Sequence, residues 1–178
     1  MRQLLLLRHA KSSWDDASMP DRDRPLNARG RRSTAAMRSA MRNLGLSPDV
    51  VLVSTARRTM ETLEVLEPWD DTPLVDPLDS LYLANVMQLT AALHGVAETV
   101  RSVLLIGHNP GLHDLALSLA GDRAMHAGGA NERALADGFP TGALAEFVVP
   151  GSWWDLREGG GRLVRFLTPR MLEGAGLS

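Results

Sequence analysis

The stretch Leu4-Leu5-Leu6-Leu7-Arg8-His9-Ala10 decides the fold of this chain. Its four consecutive leucines do not alternate with polar residues, which is typical of a central strand covered on both faces of a sheet. We therefore predict a first strand over residues 2–7. Arg8 and His9 end the apolar run, which is too short for a signal-peptide core or a membrane span. The stretch indicates a buried strand that ends in two polar side chains.

Apolar runs alternate with helix-period segments along the rest of the chain, and this alternation predicts an α/β fold. We predict further strands over residues 49–53, 102–106, 142–149 and 162–167, and helices over 26–44, 56–66, 83–97 and 112–119. Residues 12–25 are expected to form a surface loop and residues 121–140 a long mobile loop, with the tail after Pro169 ordered only in part. The pattern favours one domain over residues 1–178, a three-layer α/β/α sandwich whose mostly parallel sheet has an antiparallel edge.

Composition narrows the classes of protein that this chain can belong to. The 178 residues include 19 Lys plus Arg, 21 Asp plus Glu and no cysteine. Disulfides, thiolate metal sites and a cysteine nucleophile are therefore excluded. A net charge of -2 provides no general attraction to nucleic acid or to an anionic membrane. We expect a cytoplasmic protein without nucleic-acid or membrane partners, and the sequence carries no signal for its oligomeric state.

Polar clusters follow three of the predicted strands directly. Arg8-His9 follows the first strand, Ser54-Thr55-Ala56-Arg57 the second, and Gly107-His108-Asn109 the third. Ligands of open parallel α/β sheets bind beyond the carboxyl ends of the strands, so we expect these clusters to converge. Guanidinium groups match phosphate oxygens in a bidentate way, and a helix that begins near residue 55 adds N–H donors. The sequence therefore predicts a cationic, histidine-containing pocket for a phosphoryl group.

A metal site is not expected in this pocket. His108 and His113 are five residues apart and so do not share a helix face, and no acidic residue near them has metal-site spacing. The chain also has no Walker loop, no dinucleotide-binding glycine motif and no Gly-x-Ser-x-Gly elbow. We predict no metal and no cofactor.

These clusters resemble motifs of a known family. The stretch Leu7-Arg8-His9-Ala10 is similar to the Arg-His-Gly signature of the histidine phosphatase (phosphoglycerate mutase-like) superfamily, with Ala10 in place of the usual glycine. Residues 54–62 resemble its Ser-x-x-x-Arg-x-x-x-Thr-like segment, with Arg57 favoured as the phosphate-binding arginine and Arg58 as the alternative. Gly107-His108-Asn109 resembles the segment of the second catalytic histidine. Within the superfamily, three features look most like the SixA-type phosphohistidine phosphatases. They are the short chain and the segments Arg24-Pro25-Leu26 and His108-Asn109-Pro110-Gly111.

The resemblance implies a mechanism and a set of site residues. His9 is expected to attack phosphorus and to carry the phosphoryl group covalently before water releases it. Arg8, Arg57 and His108 are expected to bind the phosphate oxygens and to stabilise their charge without a metal. Arg24 and Asn109 are further candidates for phosphate binding, although Arg24 is equally well interpreted as a solvated residue of a charged loop.

The general acid is the weakest part of the resemblance. Many members of the superfamily carry a Glu or Asp that protonates the leaving oxygen, and here the matching stretch holds Asp79, with Asp76 as a second choice. Imidazole is a much less basic leaving group than an alkoxide, so a poor acid favours P–N bonds, as in phosphohistidine, or activated esters over sugar phosphates. Only two prolines, a short apolar piece and one helix are predicted between residues 66 and 102, which implies a shallow, open site.

Several functions are compatible with these motifs. The preferred hypothesis is a SixA-like phosphatase that acts on a phosphorylated protein. The first alternative is a phosphomonoesterase of the same superfamily that acts on a small phosphorylated molecule. The second is a phosphate-recognition module without turnover, in which Arg8, Arg57 and His108 form a binding shell. A mutase is less favoured, because little of the chain remains to enclose an intermediate.

Overall fold

The computed structural model describes residues 1–175, and in them six strands form one mixed sheet with helices on both faces. The strands are β1 (Arg2–Arg8), β2 (Val50–Ser54), β3 (Leu74–Leu78), β4 (Ser102–Gly107), β5 (Leu144–Val149) and β6 (Arg162–Leu167). The α-helices are α1 (Ala28–Asn43), α2 (Arg57–Leu66), α3 (Val86–His94), α4 (Gly111–Ala127), α5 (Ala130–Asp137) and α6 (Pro169–Gly174). Single 3-10 turns span Asp21–Asp23 and Asp79–Leu81.

The order of strands in the sheet is β3-β2-β4-β1-β5-β6. β1 pairs in parallel with β4, and β2 pairs in parallel with both β3 and β4. β5 runs antiparallel to β1 and to β6. The predicted sheet, mostly parallel with an antiparallel edge from the last two strands, is confirmed. The carboxyl ends of β1, β2 and β4 consequently lie side by side.

Successive leucines of β1 enter two different hydrophobic clusters, as the uninterrupted apolar run predicts. Leu4 and Leu6 pack in the cluster that holds α3 and α4 residues, whereas Leu5 and Leu7 pack in the one that holds α1 and α2 residues. All four leucines are at most 1% exposed. The three-layer arrangement predicted from the sequence is therefore confirmed.

Two elements differ from the predictions. The long mobile loop expected over residues 121–140 is wrong, because α4 continues to Ala127 through a break at Gly121 and α5 follows it. The break requires glycine, whose φ here is 79°. Strand β3 was not predicted at all, and it is a mostly exposed edge strand with Pro77 inside it.

The remaining elements agree with the predictions apart from shifts of a few residues at their ends. Helix α1 begins directly after Asn27, which caps it, since the Asn27 side chain accepts a hydrogen bond from the Gly30 amide at 2.8 Å. In the tail, residues from Pro169 to Gly174 form helix α6. The last three residues lie outside the described part of the chain. No helix of the described part is long and apolar enough to cross a membrane.

Candidate active site

The backbone of Arg8 and His9 is fixed from both sides at the end of β1. The Arg8 amide donates to the carbonyl of Ala143, and the His9 amide donates to the carbonyl of Gly107, each at 3.1 Å. The Gly142 amide in turn donates to the carbonyls of Arg8 and His9. Neighbouring strands therefore hold both residues in place.

The ring of His9 has a defined tautomer. Its Nδ1 lies 2.8 Å from the carbonyl oxygen of Ala10, which can only accept, so Nδ1 carries the proton and donates. The lone pair then resides on Nε2. Burial lowers the pKa of His9 to about 4, helped by the positive charges of Arg58 and Arg8, so the ring is neutral at pH 7. Ala10 is itself held, because its amide donates to the Thr62 hydroxyl at 3.1 Å.

His108 faces His9, with the two ring centroids 5.3 Å apart. Its Nε2 lies 2.8 Å from the Ser54 hydroxyl oxygen, which also accepts a hydrogen bond from the Ala56 amide. When Ser54 donates its hydroxyl proton to Nε2, the His108 ring proton is on Nδ1. Within residues 1–175, Nδ1 is buried and has no hydrogen-bond partner. Burial, together with the nearby charges of His9 and Arg58, lowers the pKa of His108 to about 3.

Asp21 holds two buried arginines in place beside the histidines. Arg58 is 4% exposed and donates to the Asp21 carbonyl at 2.7 Å and to its carboxylate at 3.0 Å. Arg24 is 7% exposed and donates to the same carboxylate at 3.0 Å. The Tyr82 hydroxyl donates to it at 2.5 Å. These contacts lower the pKa of Asp21, and the hydrogen bond from Tyr82 has the largest effect. The Asp21 carboxylate is therefore ionised. Asp21 was not singled out from the sequence, because one Asp in an acidic loop carries no signal.

These side chains surround a cavity of about 480 Å³ at the carboxyl ends of the strands. It is lined by Arg8, His9, Lys11, Ser12, Trp14, Arg24, Arg58, Leu83, His108, Asn109, Pro140 and Thr141. Four of these residues are cationic, and the described lining contains no carboxylate. Burial, with the charge of Arg58, lowers the pKa of Arg8, but an arginine stays protonated near neutral pH.

The structure places five of the predicted site residues in this cavity: Arg8, His9, Arg24, His108 and Asn109. Asn109 donates through its side-chain amide to the Phe139 carbonyl at 2.8 Å, and Arg8 donates to the same oxygen at 3.0 Å. Arg24 is buried, so the interpretation of this residue as solvated is wrong. No group of three or more metal-ligating side chains lies together in residues 1–175.

The choice of Arg57 over Arg58 is corrected by the structure. Arg57 is half-exposed, pairs with Glu61 at 2.9 Å and does not line the cavity, whereas Arg58 does. Adjacent residues of a helix point about 100° apart, so only one of the two can face the strands. The spacing of Arg58 and Thr62 carried the signal, since residues four apart in a helix share one face.

The assignment of Asp79 as general acid is also corrected. Its side chain is 81% exposed, pairs with Arg22 at 2.6 Å, accepts from the Thr55 hydroxyl at 2.5 Å and does not line the cavity. The contacts from Thr55 and Arg22 lower its pKa, which leaves no proton to donate near neutral pH. The second choice, Asp76, lies on the exposed edge strand β3 and is outside the cavity as well.

The arrangement can hold a tetrahedral oxyanion, with guanidinium groups around it and the lone pair of one imidazole directed at its central atom. Fold and pocket together define an α/β protein with a two-histidine, arginine-lined anion site. Residues 4–77 match the model of the histidine phosphatase superfamily, branch 1. The chain belongs to the histidine phosphatase superfamily, and three solved structures that are 26–28% identical to it are of the SixA type.

Similar proteins cover most of the chain. An uncharacterized chloroplastic protein of Arabidopsis thaliana is 35% identical over 67% of this chain, and the match spans 60% of that protein's own length. An uncharacterized protein of Mycobacterium tuberculosis (strain H37Rv) is 34% identical over 92% of this chain and 100% of its own length.

Two solved structures are similar over nearly the whole fold. A protein of Nakamurella multipartitia that is assigned to the phosphohistidine phosphatases SixA is 28% identical, with a TM-score of 0.82 over 94% of this chain and 96% of its own. The protein histidine phosphatase SixA complexed with tungstate is 26% identical, with a TM-score of 0.74 over 96% of this chain and 99% of its own.

Proposed function

We propose that this protein is a metal-independent phosphatase that removes the phosphoryl group from phosphohistidine on proteins, by way of a covalent intermediate on His9. The composition of the cavity carries the proposal. It combines an imidazole lone pair at His9 Nε2 with four cationic side chains, and the described lining contains no carboxylate to serve as acid.

In the first step, the lone pair of His9 Nε2 forms a bond to phosphorus as the bond from phosphorus to the leaving nitrogen breaks. A substrate imidazole that is protonated on its other nitrogen departs as neutral imidazole, so this step needs no acid from the protein. In the second step water adds to phosphorus, the bond to His9 breaks and inorganic phosphate leaves with both water protons.

The low pKa of His9 suits this role, because a neutral ring is the nucleophile. Its hydrogen bond to the Ala10 carbonyl directs the lone pair outward from Nε2. Arg8, Arg58 and the Nδ1–H of His108 are proposed to bind the three phosphoryl oxygens and to stabilise their charge, with Arg24 and Asn109 as further contacts. Tungstate, which is present in the SixA structure described above, is a tetrahedral oxyanion like phosphate.

The partner that we propose is a phosphorylated protein. The net charge of -2 supports a partner other than nucleic acid. We also propose a cytoplasmic location, which cell fractionation followed by immunoblotting tests directly.

The test compares wild type with the variants His9→Ala and His126→Ala. His126 is an exposed histidine that contacts its own helix, so its removal controls for the loss of an imidazole. We expect wild type and His126→Ala to release phosphate from a phosphohistidine peptide and to form a phosphoenzyme that is visible by mass spectrometry at alkaline pH. We expect His9→Ala to do neither, and EDTA to change no rate.

Two results would contradict the proposal. Turnover by His9→Ala would remove His9 from its role. Binding of phosphate by wild type without phosphoenzyme or turnover would identify a recognition module instead.

A further inference from the structure

Trp14 is an unusual feature of the cavity mouth. It lines the cavity, yet 74% of its surface is exposed. A large aromatic side chain left in water forgoes the favourable burial that most tryptophans obtain. Exposed aromatic side chains at the edge of a pocket are typical of surfaces that contact a ligand.

The indole of Trp14 contacts a buried, anchored arginine. The Arg24 guanidinium carbon lies 3.3 Å from the ring centroid, so the guanidinium group lies over one face of the indole. Arg24 is anchored independently of this contact, because it donates to the Ser13 carbonyl at 3.1 Å, to Asp21 at 3.0 Å and to the Ser12 hydroxyl. One face of Trp14 is therefore supported and the ring does not have to be ordered when a ligand arrives.

A second exposed apolar side chain lines the same cavity. Leu83 is 54% exposed, and its φ of 49° lies in the left-handed region that a leucine rarely adopts. Such a conformation costs about 1–3 kcal/mol and tends to persist where function requires it. Here the strained residue presents an apolar side chain at the mouth of a pocket whose interior is cationic.

We propose that Trp14 and Leu83 form an apolar contact surface for the imidazole ring of the substrate. This surface selects phosphohistidine over phosphorylated side chains without a ring. The inference rests on the proposed function. The phosphoryl group is bound among the arginines, and the ring attached to it reaches the mouth of the cavity. A flat aromatic ring can stack on the indole, whereas the single methylene of phosphoserine offers no comparable surface.

The experiment measures binding, so that it does not depend on turnover. Two peptides of the same sequence carry either a non-hydrolysable phosphoryl-triazole analogue of phosphohistidine or phosphoserine. Calorimetry measures the dissociation constant of each peptide. The parent protein is the His9→Ala variant, and four further proteins each add one substitution to it: Trp14→Ala, Trp14→Phe, Leu83→Gly or Trp154→Ala. Trp154 is 65% exposed and lies outside the cavity, so it is the matched control. Glycine tolerates the backbone of residue 83 without strain.

We expect the parent to prefer the triazole peptide. Trp14→Ala should reduce that preference roughly 3- to 10-fold, as the worth of an aromatic pair implies. Leu83→Gly should reduce it in the same direction, while Trp14→Phe and Trp154→Ala should keep it within about twofold.

Three outcomes would overturn the inference: no preference in the parent, no effect of Trp14→Ala, or an equal loss of affinity for both peptides. An equal loss would mean that Trp14 acts only by holding Arg24. Failure of the proposed function appears separately, as absence of phosphate release by wild type with its His9 intact.

Discussion

Arg57 and Arg58 are neighbours in the chain with different surroundings. Arg58 is buried against Asp21 beside both histidines, whereas Arg57 is half-exposed and paired with Glu61. The sequence motif located the right turn of the helix, but not the side of the helix that faces the strands. That choice depends on how α2 is rotated against the sheet, and the four-residue spacing of Arg58 and Thr62 within the helix is a local sign of it.

The two arginines provide a matched pair of variants. Arg58→Ala should lower kcat/KM by about 10²–10³-fold, the usual loss when one donor to a developing negative charge is removed. Arg57→Ala should lower it less than about threefold, since it removes only a half-exposed ion pair outside the cavity. Steady-state kinetics with an aryl phosphate, with folding checked by circular dichroism, measure both. Equal losses in the two variants would contradict the placement of Arg58 in the site.

Stability should depend on pH because two buried imidazoles stay neutral in the folded state. The pKa values of His9 and His108 are lowered to about 4 and about 3 from an ordinary value of 6.5. Below pH 6.5 the unfolded chain binds protons that the folded chain does not, so stability falls with pH until the folded pKa values are reached. His9 alone should account for a loss of about 2 kcal/mol between pH 7 and pH 5.

Urea unfolding at several pH values measures this loss. His9→Gln, which does not titrate, should make the dependence of the unfolding free energy on pH shallower by that amount. An unchanged dependence would mean that the His9 ring takes up a proton in the folded protein near its ordinary pKa.

Among the elements, helix α1 packs unusually closely on the segment that follows His9. A Cβ at Gly30 would lie 2.2 Å from the carbonyl oxygen of Lys11 and 2.9 Å from its amide nitrogen. The same Lys11 oxygen accepts a hydrogen bond from the Asn27 amide at 3.0 Å. The first turn of the helix thus fixes the chain two residues beyond the nucleophile, and glycine permits that approach.

Gly30→Ala should therefore destabilise the protein by about 1–3 kcal/mol, the range found when atoms are forced into a packed interior. It should also lower activity at temperatures where the protein remains folded, because the segment that carries His9 must shift. Gly151→Ala is the control, since a Cβ there meets nothing within 4 Å. The urea midpoint and kcat/KM of both variants test this prediction. Equal stabilities of the two variants would show that helix α1 shifts to accommodate the extra methyl group.

The elements that the sequence did not predict lack the signals that identify a strand or a helix. β3 is an exposed edge strand that contains Pro77, and neither feature produces the apolar run of a central strand. α5 consists mostly of good helix formers, but Gly128 and Gly129 directly before it suggested a loop. The central strands were predicted correctly because burial on both faces leaves only apolar residues in them.

At the scale of the whole molecule, only α2, β3, one 3-10 turn and α3 lie between β2 and β4 in the chain. The stretch between β2 and β4 supplies Arg58 and Leu83 to the cavity but no carboxylate, and Asp79 stays outside it. The shared location of three polar clusters was predictable, since parallel strands bring their carboxyl ends together. The position of each carboxylate depends on loop packing, for which the sequence carries no pattern. The assignment of all residues to one domain stays a prediction.

Rates should consequently depend steeply on the leaving group. We expect phosphohistidine peptide to be hydrolysed fastest, an aryl phosphate more slowly and alkyl or sugar phosphates slowest, because a more basic leaving group needs a proton that the cavity does not provide. A panel of these substrates at one pH measures kcat/KM for each. A sugar phosphate or nucleotide that surpasses the phosphohistidine peptide would instead favour the small-molecule phosphomonoesterase.

The hydrogen bond from the His9 amide to Gly107 ties the reactive residue to the middle of the sheet, between β4 and β5. Amide hydrogens in the centre of a sheet are among the last in a domain to exchange with solvent. Catalytic competence should therefore survive local fraying of the edges and disappear together with cooperative unfolding, so that residual activity reports directly on the fraction of folded molecules.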